Sequence, residues 1–171
     1  MSEARHGHLP PSDWVIRWAP RITHGTVLDL ACGEGRHARL FLERGLKVVA
    51  LDREPKKIPG ARFVLADLEG GNPWPLPGEM FEGVVVTNYL HRPLFSRILE
   101  SLKPGGILIY ETFMAGNERF GKPSNPEFLL QPGELLRAFS QLQVLGFEEG
   151  ELRFPKPSMI QRLCAARAAS G

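Results

Sequence analysis

Three carboxylates recur at comparable places in the chain: Asp29 inside the apolar run VLDL, Asp52 directly after VVAL, and Asp67 after FVLA. A carboxylate one residue past a buried strand can accept hydrogen bonds from both hydroxyls of a ribose. Between the first two acids lies ACGEG, where Gly33 and Gly35 permit positive φ and let a ligand approach the backbone. The residues that follow repeat at helical spacing, so unpaired amide hydrogens gather at the turn. A dinucleotide site wants a third glycine and its pyrophosphate on that helix, whereas this chain has Ala38 there and the negative charge of Asp29 close by. The pattern favours a cationic, phosphate-free nucleoside.

S-adenosylmethionine (AdoMet), with its ammonium and sulfonium, has that chemistry. Each acid nonetheless has two readings. Asp29 either meets the ammonium or fixes the turn by accepting from backbone amides. Asp52 either takes the ribose hydroxyls or is an exposed acid at a strand end. Past the apolar run GVVVT comes Asn88-Tyr89-Leu90-His91. Here Asn88 and Tyr89 are candidates to contact an acceptor, and His91 to take its proton, since imidazole titrates near neutral pH; the other role for His91 is to cap the helix begun at Pro93.

The blocks VLDLACGEGRHA, VVALDRE, VLADL and LKPGGILIYETF, in that order, resemble the class I AdoMet-dependent methyltransferases. The likeness is good from Val27 to Phe113 and loose on either side. The small size and FLLQPGELLRAF look like the TehB-type and related small-molecule methyltransferases. The resemblance implies a cofactor set of Asp29, Ala31, Gly33, Gly35, Asp52, Arg53, Asp67, Leu68 and Asn88, with the two glycines as the floor beneath the ligand. It pairs Asp67 and Leu68 with adenine, against the simpler reading that Asp67 caps the next turn. It implies Tyr89 and His91 as the catalytic candidates; no metal is expected, because nothing in the chain has metal-ligand spacing such as paired C-x-x-C. Methyltransferases of bases or amides often carry N-P-P-Y at this point; N-Y-L-H departs from it.

The elements that must position these residues follow from periodicity. Val27–Leu30, Val48–Leu51, Arg62–Ala66, Gly83–Thr87 and Ile107–Tyr110 read as parallel strands, and Gln143–Leu152 with Met159–Ala166 as an antiparallel hairpin at the sheet edge. Helices are expected at Asp13–Trp18 with Ser12 as cap, Arg36–Arg44, Pro93–Leu102 and Pro132–Phe139. The fold class is α/β, a Rossmann-like, doubly wound, mostly parallel seven-stranded sheet. Residues 1–25 would form an arm and covering helix, and 26–171 the methyltransferase domain. Only REPKKIPG and Ala61 separate Asp52 from the third strand, too little for a crossover helix, so one sheet face is thinly covered unless the arm or a partner such as a second copy covers it. Trp74, in a loop rich in proline and glycine, packs over the sheet edge or near adenine. The polar stretch 112–131 should be an ordered loop above the carboxyl edge, with Glu111, Asn117, Arg119 and Arg137 on or near the substrate side.

Bulk properties bound the alternatives. A chain of 171 residues suits one core, and a net charge of +2 does not demand nucleic acid or a membrane surface. Two cysteines, Cys32 and Cys164, are too few for a disulfide framework and point to a reducing, cytoplasmic setting. No apolar run reaches the ~18 residues of a membrane span. The expected activity is methyl transfer from AdoMet to a small-molecule acceptor. The rivals are an RNA or protein methyltransferase, a non-catalytic AdoMet-binding partner protein, and an NAD-dependent dehydrogenase, the last disfavoured by Asp29 and Ala38.

Overall fold

The computed structural model describes residues 9–170; the histidines of the N-terminal arm, His6 and His8, lie outside the described residues. Seven strands form one sheet: β1 (Thr26–Leu30), β2 (Lys47–Asp52), β3 (Arg62–Leu65), β4 (Phe81–Thr87), β5 (Leu102–Phe113), β6 (Gln143–Leu152) and β7 (Ser158–Ala166). Their order is β3-β2-β1-β4-β5-β7-β6, with β7 antiparallel to both neighbours and the rest parallel. The doubly wound sheet and its antiparallel C-terminal pair agree with the sequence reading. Strand order reverses between β1 and β4, and a crevice opens there at the carboxyl ends, where such sheets bind ligands.

Alternation along the strands sorts the core into two layers. Leu28, Leu30, Val84, Val86, Leu108 and Tyr110 face one way and are covered by α3 (Phe95–Glu100), α4 (Glu134–Ala138) and the buried Leu76. Val27, Val48, Ala50, Val85 and Ile109 face the other way, under α1 (Asp13–Trp18) and α2 (Arg36–Glu43). Period-2 patterning in a sheet covered on both faces explains why β4 reads as one apolar run.

Some expected elements differ. The helix anticipated over Pro93–Leu102 is a 3₁₀ turn, Arg92–Leu94, followed by α3. Helix α4 spans only Glu134–Ala138 and starts after Gly133, which carries no side-chain cap. Strand β5 continues to Phe113, so Thr112 and Phe113 belong to the sheet and not to the loop. The second crossover is a loop, and its Ile58 is 5% exposed and packed with the α2 layer, so the short connection still supplies one core residue. The outer strand β3 stays only half covered, with Leu65 59% exposed.

Candidate functional site

The glycine turn is built by backbone strain and closed by carboxylates. Ala31 (φ 55°) and Asn88 (φ 52°) adopt left-handed backbone without being glycine, and they end β1 and β4, the two strands flanking the crevice. For a residue with a Cβ this conformation costs on the order of 1–3 kcal/mol and clusters at functional sites. Asp52 spans the gap, with Oδ2 accepting from the Gly33 amide at 2.9 Å and Oδ1 from the Glu54 amide at 3.0 Å. Asp67 Oδ1 accepts from the Glu69 amide at 3.0 Å, and Asn72 Nδ2 donates to the Asp67 and Glu69 carbonyls. The turn-capping reading of Asp67 is therefore realised in its geometry, and it places Glu69 over the strand ends.

Two cavities lie side by side there. The first, about 290 Å³, is lined by Ala31, Asp52, Arg53, Asp67, Leu68 and Glu69, with Leu51, Ala66 and Tyr89 completing it. The second, about 260 Å³, is lined by Asn88, Leu90, Thr112, Phe113, Pro123 and Phe128, and shares Glu69 and Tyr89 with the first. Tyr89 is thus a wall common to both. Its hydroxyl lies 3.5 Å from Glu69 Oε2, and burial, together with the charges of Glu69 and Asp67, pushes its pKa far above the usual phenol range. It stays a phenol, a hydrogen-bond donor and not a base. His91 lines neither cavity; its Nδ1 is 3.7 Å from Glu69 Oε1. His91 does occupy the N-cap position of the 3₁₀ turn Arg92–Leu94, its carbonyl accepting from the Leu94 amide at 2.9 Å, but its side chain makes no capping bond.

Asp29 alternates with Leu28 and Leu30 and so points beneath α2. Its Oδ2 accepts from the Ala38 amide at 3.0 Å, the turn-fixing role, while the buried Oδ1 has no partner among the described residues. Burial raises its pKa from 3.8 to about 7. Gly33 and Gly35, read above as the floor beneath a ligand, do not line either cavity. At Gly35 (φ 84°) an added Cβ would stand 2.8 Å from Ile58 Cδ1, so this glycine lets the short crossover pack on the turn. Cys32 is likewise a packing residue, its thiol pushed up to about 12 by burial.

Other polar candidates serve the frame. Glu111 faces α1, where it pairs with Arg162 Nε at 2.6 Å, and Arg162 lies over the Trp14 ring at 5.5 Å. Trp14 Nε1 donates to the Leu163 carbonyl, so the leading helix is fixed to β7. Asn117 is buried, donating to the Pro123 carbonyl and accepting from the Met159 amide. Arg119 and Arg137 bond nearby carbonyls, and Trp74 bonds the Leu76 carbonyl outside both cavities.

Three residues were not singled out from sequence. Glu69 needed the Asp67 turn to be seen. Arg92 holds Glu134 through two bonds and the Glu127 and Leu129 carbonyls, pinning residues 127–134 beside the second cavity. His37 accepts from the Ser12 amide at Nε2 and meets Thr87 Oγ1 at Nδ1, so Nδ1 carries the proton, and burial drives its pKa down to about 3. It joins the cap of α1, the start of α2 and the end of β4. No spacing signal distinguishes it from a surface histidine on a short helix.

Comparison with known proteins bears on the same region. A family described as "Methyltransferase domain" matches residues 27–106, which include Glu69, Asn88, Tyr89 and Leu90 of the second cavity but not Thr112, Phe113, Pro123 and Phe128. A trans-aconitate 2-methyltransferase of Methylobacterium nodulans is 33% identical over 110 residues, covering 58% of this chain and 42% of that one. A malonyl-[acyl-carrier protein] O-methyltransferase of Serratia marcescens is 31% identical over 103 residues, covering 53% of this chain and 39% of its own. The chain therefore spans less than half the length of these relatives. Among solved structures, TehB of Haemophilus influenzae superposes with a TM-score of 0.73 at 19% identity, over 92% of this chain and 62% of TehB, a likeness of fold. The sequence likeness to methyltransferases thus centres on the part that carries the glycine turn, and the likeness of fold to TehB extends well beyond it.

Proposed function

We propose that the protein transfers a methyl group from AdoMet to a small-molecule acceptor. The observation that carries this reading is the pair of cavities of about 290 and 260 Å³ meeting at Glu69 and Tyr89, one carboxylate-rich and one largely apolar.

The residues present fit the cofactor. Three carboxylates against one guanidinium line the first cavity, which suits a ligand of net positive charge and opposes a pyrophosphate. Each Asp52 oxygen is used once by the backbone and keeps a lone pair for a ribose hydroxyl. Asp67 keeps Oδ2 for an exocyclic amine, with the Leu68 amide beside it and Arg53 at the rim. The unpartnered Oδ1 of Asp29 is the acceptor left for an ammonium. Bound there, AdoMet supplies an electrophilic methyl group on sulfonium sulfur.

The protein's part is positioning and exclusion of water, which account for much of the acceleration of such displacements. Tyr89 and Asn88 hold the junction of the cavities. A proton lost by the acceptor passes to Glu69, with His91 beside it, so His91 acts through that carboxylate. The two buried, unpaired cysteines support a reducing, cytoplasmic location. A second copy at β3, where Leu65 is exposed, is the partner arrangement to test by sedimentation.

Isothermal titration of the full chain with AdoMet and S-adenosylhomocysteine tests the reading. Saturable heat with both is expected; none with either refutes it. Mass spectrometry after incubation with AdoMet and separate small-molecule and RNA fractions then distinguishes the acceptor classes.

A further inference from the structure

The second cavity has a marked charge character. Of the eight residues lining it, only Glu69 is charged; Asn88, Thr112 and Tyr89 are polar and neutral, and Leu90, Phe113, Pro123 and Phe128 are apolar. No guanidinium or ammonium lines it among the described residues. The nearest arginine in sequence, Arg92, is neutralised by Glu134 and spends its remaining donors on the Glu127 and Leu129 carbonyls. Tyr89 offers a hydroxyl already directed at Glu69 and held as a phenol. His91, charged only when protonated, has Nδ1 3.7 Å from Glu69 Oε1 and does not line the cavity.

We propose, resting on the methyltransferase reading above, that this cavity takes an apolar, aromatic acceptor whose reacting atom is an uncharged nitrogen base, and that it rejects carboxylate acceptors. The argument is electrostatic. Carboxylate, phenol and thiol acceptors react as anions, and an anion here meets the Glu69 carboxylate with no cationic side chain in the cavity wall to offset it. An uncharged nitrogen meets no such repulsion. As its lone pair forms the nitrogen–carbon bond, the carbon–sulfur bond breaks with its electron pair left on sulfur, and the positive charge moves from sulfur to nitrogen. Glu69, shared by both cavities, borders the charge before and after that move. A ring nitrogen with no hydrogen keeps the charge; an amine sheds a proton, for which Glu69 is the acceptor. The flat apolar walls of Phe113, Phe128 and Leu90 suit an aromatic body, and the nitrogen ends toward Asn88 and Glu69. Trans-aconitate, the acceptor named for one relative, is a tricarboxylate that this cavity is poorly built to hold.

Three probes of one shape isolate charge: 2-naphthamidine (cation), 2-naphthamide (neutral) and 2-naphthoate (anion). Binding to the full chain saturated with S-adenosylhomocysteine is followed by ligand-observed NMR, with naphthamidine first, naphthamide second and naphthoate last. The expected preference of cation over anion is about tenfold, the size of a half-exposed charge pair. Glu69→Gln should shrink it to about twofold and leave naphthamide unchanged; Glu69 is part-exposed, so this variant is expected to fold, with an unchanged thermal midpoint as the check. Naphthoate binding as well as or better than naphthamidine, equal binding of all three, or an order unmoved by Glu69→Gln overturns the proposal. The titration with S-adenosylhomocysteine is read separately: absence of heat there defeats the methyltransferase reading, whereas heat with the wrong probe order defeats only the acceptor class.

Discussion

Replacing Asp29 by asparagine should make the protein more stable at alkaline pH and less able to hold its cofactor. The carboxyl lies under α2 at 1% exposure, with Oδ2 on the Ala38 amide and Oδ1 without a partner. Burial is the main cause of its rise from 3.8 to about 7, opposed by the Ala38 amide and Arg36 and assisted by Asp52. A raised carboxyl pKa means the folded state holds the proton more tightly than the unfolded chain. This group's contribution to stability is therefore full below pH 3.8, falls as pH rises toward about 7, and is flat above. A rise of that size penalises the charged form by roughly 4 kcal/mol. Asparagine keeps an oxygen for Ala38 but buries an NH₂ in place of Oδ1, costing about 1–3 kcal/mol at every pH. The variant should then be the less stable protein near pH 4 and the more stable one, by roughly 1–3 kcal/mol, at pH 8. Guanidinium unfolding of both proteins without cofactor, at several pH values from 4 to 8, gives the difference curve. The titrations of His37 and of the surface acids are common to both and cancel. A difference that does not change with pH refutes the burial argument. In the same variant, AdoMet should bind more weakly despite the greater stability. In the native protein, binding near pH 6 should release a proton, seen as a buffer-dependent heat.

Other outcomes follow from single contacts. Asp52→Ala removes the acceptor of both the Gly33 and Glu54 amides, and should weaken AdoMet binding by about 1–3 kcal/mol in a calorimeter. Gly35→Ala forces a Cβ against Ile58 at positive φ and should destabilise by roughly 1–3 kcal/mol on chemical unfolding. Arg162→Met leaves Glu111 buried without its guanidinium, an expected loss of about 3–5 kcal/mol at pH 7, with a shift in Trp14 fluorescence as α1 loosens.

The strand pattern, the doubly wound class and the antiparallel C-terminal pair were legible in the sequence because period-2 burial and glycine turns are local properties. Asp52 and Asp67 could be placed at a ligand edge for the same reason: the ends of apolar runs mark the carboxyl edge of a parallel sheet. What each carboxylate bonds was not legible. Whether Asp29 faces a ligand or a helix amide depends on how α2 lies across β1, and Glu69 enters the site only because Asp67 turns the chain back over the strand ends. Glu111, Asn117, Arg162 and His37 have the polarity of site residues but meet partners 42 to 51 positions away, or 25 to 50 in the case of His37. Backbone periodicity is written in neighbouring residues. A buried polar group, by contrast, takes its role from whichever distant atom satisfies it, and only the folded chain brings that atom near.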